Sequence, residues 1–112
     1  MKVLLVSLLA GAAAAAPAAE RPQTITGIIS DNMCAETGHA AMRMGPTDSE
    51  CTVACVDAHG ASYVLVSGRN IYILSDQQRA QQFAGQRVRV AGTVEDVKGG
   101  KIFHVNSIVA AK

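Results

Sequence analysis

Three features of the sequence predict a mainly β fold, a five-stranded Greek-key barrel in an OB-like strand order. Five short runs are rich in β-branched residues, a helical segment falls between the third and the fourth, and a cysteine-bearing loop-helix insert separates the first from the second. A helix after the third strand is the element that closes the bottom of such a barrel.

The first strand is Thr24-Ile25-Thr26-Gly27-Ile28-Ile29-Ser30, with Gly27 marking a bulge or a sharp bend. Asp31 to Gly45 carries turn residues without a clear period and reads as loop. Thr47 then caps a helix, with Glu50 at the capping-box position; the helix runs to about His59 and Gly60 ends it in a left-handed conformation. Cys51, Ala54, Cys55 and Ala58 fall on one face of that helix, so both cysteines are expected to look inward, toward the barrel or toward the Cys34 loop.

Ala61 to Ser67 is the second strand and Ile71 to Leu74 the third, joined by a tight turn at Gly68-Arg69-Asn70. Ser75 is the expected cap of the second helix, with Gln78 completing its box, Ala80, Phe83 and Ala84 forming its apolar stripe, and Gly85 ending it. Arg87 to Val94 alternates cleanly, valines inward and arginines outward. Gly99-Gly100 marks a hairpin, and Ile102 to Ala110 is the last strand.

Residues 1–18 read as a signal peptide. Lys2 supplies the positive start, Val3 to Ala16 an apolar run too short to span a membrane, and Ala16-Pro17-Ala18 a small-x-small cleavage site. Residues 19–112 then form one small domain, periplasmic or secreted. A chain of that size buries only about 60% of its unfolded surface, so a cross-link or a metal would help it. The formal net charge is +1 and aromatic residues make up 4%, with no basic patch, which argues against nucleic acid as a partner. No second apolar run is long enough for a transmembrane segment.

The chemistry concentrates between Asp31 and Gly60, which hold all three cysteines, His39, His59, Met33, Met42 and Met44. In an oxidising compartment one pair of three cysteines should close and one be left over. The expected disulfide joins Cys34 to Cys51 or Cys55; it closes a loop of about 16–20 residues and stabilises by about 3 kcal/mol. A Cys51–Cys55 bridge is disfavoured, because side chains one helical turn apart point poorly for it.

The alternative is a metal site. Cys34, His39, Cys51 and Cys55 make a Cys₃His set suited to zinc or copper(I), with Asp31 placed to orient His39. Met42 and Met44 read as packing residues. A thiol–disulfide redox role is the third reading; Cys51 lies in the first turns of its helix, where the macrodipole lowers a thiol pKa, but C-x-x-x-C is not the redox C-x-x-C. There is no C-x-x-C-H for haem attachment and no nucleophile elbow. His104 reads as an outward strand residue, and Tyr63 and Tyr72 as core or rim.

The run Gly27-Ile28-Ile29-Ser30-Asp31-Asn32-Met33-Cys34, then His39, then Cys51-Thr52-Val53-Ala54-Cys55, resembles a group of small exported bacterial proteins of uncharacterised function. The resemblance extends to Val88-Arg89-Val90-Ala91-Gly92-Thr93-Val94; Ala35 stands where the group's pattern has a glycine. It implies an OB-like barrel and brings no activity or cofactor. Together these readings point to a non-enzymatic binding or accessory module of the bacterial envelope, whose partner is a small ligand, a metal ion or an envelope protein. Export predicts that N-terminal sequencing of envelope material begins at Ala19 or within a residue or two; full-length chain in the cytoplasm would refute it.

Overall fold

A computed structural model of the chain describes residues 22–37 and 47–111. The expected signal peptide, His39, Met42 and Met44 lie outside the described residues. The elements in order are β1 (Pro22–Asp31), α1 (Cys34–Thr37), α2 (Asp48–His59), β2 (Tyr63–Ser67), β3 (Asn70–Leu74), α3 (Gln77–Gln81), β4 (Arg87–Val97) and β5 (Gly100–Ala110). The five strands close into a barrel in the order β1-β2-β3-β5-β4, with β3 and β5 parallel and every other pair antiparallel. The expected five-stranded barrel, with one helical insert between β1 and β2 and one helix between β3 and β4, is therefore the fold.

Closure depends on β1, which pairs with two neighbours along its length. Pro22 to Ile28 pair with Thr93 to Arg87 of β4, and Ile28 to Asp31 pair with Val66 to Tyr63 of β2. Gly27 sits at the changeover, and a Cβ there would stand 2.3 Å from the Val66 carbonyl oxygen. A similar close approach occurs in β4. The ladder with β5 shifts register between Ala91 and Gly92, and a Cβ on Gly92 would meet the His104 carbonyl oxygen at 1.9 Å. Such bulges give a small barrel the curvature it needs.

The barrel interior is filled by alternate residues of the strands: Ile29, Tyr63, Leu65, Tyr72, Leu74, Val88, Val90, Val94, Phe103 and Ile108. Arg87 and Arg89 face solvent, as the alternation requires. Tyr72 meets Phe103 edge to face, with ring centroids 5.7 Å apart. α3 contributes Ala80, and Ala84 follows it into the core, with Phe83 packed against the rim.

Local expectations change at β1 and at α3. β1 runs from Pro22 to Asp31 because pairing with β4 extends it beyond the β-branched stretch. The cap of α3 is Asp76, whose Oδ1 accepts the Arg79 N–H at 2.9 Å. Ser75 instead accepts the Val105 N–H on Oγ and donates its backbone N–H to Phe103, tying β5 to the end of β3. Gln77 acts as a short extra strand: its side chain accepts the Tyr63 N–H and donates to the Tyr63 and Leu74 carbonyls. His104 lies outward, 2.7 Å from Glu95.

The register predicts that Val90→Ala costs about 1–3 kcal/mol through lost burial and a residual cavity, while Arg89→Ala costs close to nothing. Chemical denaturation of the two variants measures the difference; equal costs would mean that the strand faces are misassigned.

Candidate metal centre

The site is built outside the barrel, on the insert that follows β1. Asp31 ends the strand and turns the chain: its Oδ2 accepts the Met33 N–H at 3.1 Å and the Cys34 N–H at 2.9 Å, the bond an N-cap makes to a helix start. Asn32 pins the same corner to β2, donating its N–H to the Ser62 carbonyl and accepting the Ser62 N–H on Oδ1. These bonds place Cys34 at the first position of α1, a single turn within the stretch expected to be loop.

The other two cysteines come from α2, which is bounded as the sequence predicts. Thr47 accepts the Glu50 N–H on Oγ1, and Gly60 adopts φ 66°, donating its N–H to the Val56 carbonyl while Ala61 donates to that of Cys55. The start of α2 rests on Gly85, where a Cβ would stand 2.6 Å from the Ser49 nitrogen. Val53 and Val56 pack against the barrel core, while Cys51 and Cys55 turn toward α1. Ala58, expected on the inner face with them, is exposed.

Cys34, Cys51 and Cys55 form a hydrophobic cluster of their own, each at most 2% exposed, with Ala61 packed against it. The Cys34 Sγ lies 3.9 Å from that of Cys51 and 3.7 Å from that of Cys55, and all three sulfurs fall within 4.8 Å of one another. No disulfide joins the three cysteines, so the bridge expected between Cys34 and Cys51 or Cys55 is not formed. A disulfide brings sulfurs to about 2.05 Å. Here Cys34 sits above the notch between positions i and i+4 of α2, nearly equidistant from both, and approaches neither at bonding range.

The same spacing, that of thiols in contact, also suits a metal. Two sulfurs bound at about 2.3 Å to a tetrahedral ion stand about 3.8 Å apart, the spacing Cys34 keeps to each partner. The three cysteines therefore could hold a metal ion. His59, a possible neighbour of Cys55 on the same helix, is exposed and stands apart from the set.

Electrostatics favour the neutral thiols while no cation is present. Burial pushes the Cys34 thiol far above its ordinary value, assisted by its contact with Cys55 and the charge of Asp31. Burial also raises Cys55, with the Asp31 and Cys51 charges adding and the Cys34 contact opposing. A redox nucleophile needs the opposite, a depressed and accessible thiol. The buried Tyr63 hydroxyl is raised as well, by burial first and then by Asp57 and Asp31.

Among the described residues, three buried side-chain oxygens lack a hydrogen-bond partner: Asp31 Oδ1, Thr52 Oγ1 and Tyr63 OH. Asp31 faces Tyr63 across the β1–β2 ladder, and Thr52 shares the buried face of α2 with the two cysteines. The sequence carried a signal for Asp31 in its D-x-x-C spacing, that of a side-chain cap three residues ahead; Thr52 and Tyr63 gave none. A cleft of about 230 Å³ lined by Ile28, Ser30, Cys34, Ala35 and Asp48, among others, opens beside the cluster and reaches the Cys34 wall.

Comparison of the chain with protein-family models, with curated proteins and with solved structures finds no match. Among the described residues no helix is long and apolar enough to cross a membrane.

The raised thiols set a pH dependence. Below a thiol's ordinary value of 9.0 both folded and unfolded chains hold these protons. Above it the unfolded chain releases them first, so it binds fewer protons than the folded chain and stability falls as pH rises. Tyr63 extends the loss above its ordinary 10.0. The melting temperature of reduced, metal-free protein should be level between about pH 7 and 8 and fall progressively above pH 9; a level profile up to about pH 11 would contradict the burial of these groups.

Proposed function

We propose that this protein is an exported, non-enzymatic metal-binding module of the bacterial envelope, with the thiolates of Cys34, Cys51 and Cys55 holding a zinc or cuprous ion. The observation that carries the proposal is the 3.7 and 3.9 Å spacing of buried sulfurs brought together from two helices. Three thiolates supply three positions of a tetrahedral zinc site, or all the positions of a trigonal cuprous one. The cleft beside Cys34 supplies an entry path. Export is supported by the Lys2, apolar-run and Ala16-Pro17-Ala18 pattern.

The ion would also serve the fold. It would tie α1 to α2 outside a barrel whose own core is small, and its binding energy would add to folding because the site is absent from the unfolded chain. A second reading is favoured by the near-equal reach of Cys34 to both partners. Without an ion, in an oxidising compartment, Cys34 would close a disulfide with Cys51 or Cys55.

Metal analysis and intact mass of protein purified anaerobically from the envelope separate the two. The expected result is one bound ion per chain, three titratable thiols after its removal, and a melting temperature that chelator lowers. Serine at any one of the three cysteines should then abolish stoichiometric binding. Metal-free protein about two mass units below the reduced formula would establish the disulfide instead.

A further inference from the structure

Asp31 is only half used by the fold. Its Oδ2 holds the Met33 and Cys34 N–H groups, but its Oδ1 is buried without a partner in a residue that is 0% exposed. The charge of the same carboxylate raises the thiols of both Cys34 and Cys55. A bare carboxylate oxygen inside a protein is destabilising unless a cation or a donor meets it. Carboxylate oxygen is also an accepted zinc donor, beside thiolate and imidazole.

We propose that Asp31, through Oδ1, supplies the fourth ligand to the ion held by Cys34, Cys51 and Cys55, and that the centre is built for a divalent zinc-like ion rather than for monovalent copper. The assignment builds on the metal-binding function proposed for the same three cysteines. Charge decides the ion. Three thiolates and a carboxylate carry four negative charges; a divalent ion leaves two, as in a four-thiolate structural zinc site, whereas a monovalent ion leaves three among residues at most 2% exposed. The carboxylate stands outside the 4.8 Å set that the sulfurs form, so loading draws the sulfurs and Oδ1 together around the ion. The start of α1 hangs from Oδ2 of the same carboxylate, and the movement therefore carries Cys34 with it.

Asp31→Asn tests the assignment selectively. An asparagine side chain keeps one oxygen to accept the two N–H groups and replaces the other with an amide nitrogen that ligates poorly. X-ray absorption of the zinc-loaded wild type should fit three sulfurs at about 2.3 Å and one oxygen at about 2.0–2.2 Å. Asp31→Asn should bind zinc at least about tenfold more weakly and shift the visible bands of the cobalt-substituted protein. His39→Ala should leave both as in the wild type, and cuprous affinity should be the same in all three proteins.

An absorption spectrum that requires an imidazole nitrogen, or sulfur alone, overturns the assignment. So does a weakened Asp31→Asn whose cobalt bands do not move, since its role would then be to cap α1 only. Unchanged zinc affinity in Asp31→Asn overturns it too. If that variant does not fold, the wild-type absorption spectrum decides by itself. Wild-type protein that takes up no zinc or copper would refute the metal-binding function, and this assignment with it.

Discussion

Closure of the barrel through β1 is the constraint from which the rest follows. One strand must satisfy two neighbours, giving its first half to β4 and its second to β2. It can do so because the backbone at Gly27 passes Val66 at a distance no side chain would permit. Beyond that bend only Ile28 to Asp31 remain to pair with β2, and the strand ends where Asp31 must turn the chain. The carboxylate that makes the turn also begins α1, so the position of Cys34 is set by the geometry of the barrel edge.

The same closure keeps the cysteines out of the core. Strand residues fill most of the barrel by alternation, and the cysteines form a separate cluster beside it. α2 presents two buried faces, with Val53 and Val56 against the barrel and Cys51 and Cys55 toward α1. The result is a satellite cluster, apolar by composition yet rich in latent charge. Burial holds Cys34 and Cys55 in their neutral form, and a metal that displaces their protons would convert the cluster from a weak hydrophobic contact into a cross-link. For a domain of this size such a tie is a considerable addition to the core.

Redox catalysis fits this environment poorly for the same reason. Cys51 does lie in the first turns of α2, as a nucleophilic thiol would, but it is fully buried beside two thiols whose ionisation burial opposes. The surface away from the insert is occupied by ordinary strand chemistry, such as the exposed His104–Glu95 pair. The cleft that reaches Cys34 opens the neighbourhood of the cysteine cluster to solvent.

Much of this was legible in the residues alone. Strand periodicity placed Val88 and Val90 inside and Arg87 and Arg89 outside, because a half-buried strand has only one inner face. Thr47 and Gly60 bounded α2, because capping is local chemistry that needs no tertiary partner. Spacing also put Cys51 and Cys55 on one side of that helix. What sequence could not give was the third direction. Asp76 capped α3 in place of Ser75 because β5 engages the serine hydroxyl, a partner thirty residues away in the chain. A bond from Cys34 to one partner was expected from cysteine count and compartment. Only the packing of α1 over α2 decided that Cys34 meets two sulfurs at nearly equal distance, since that distance depends on where β1 ends and on how α2 rests against Gly85.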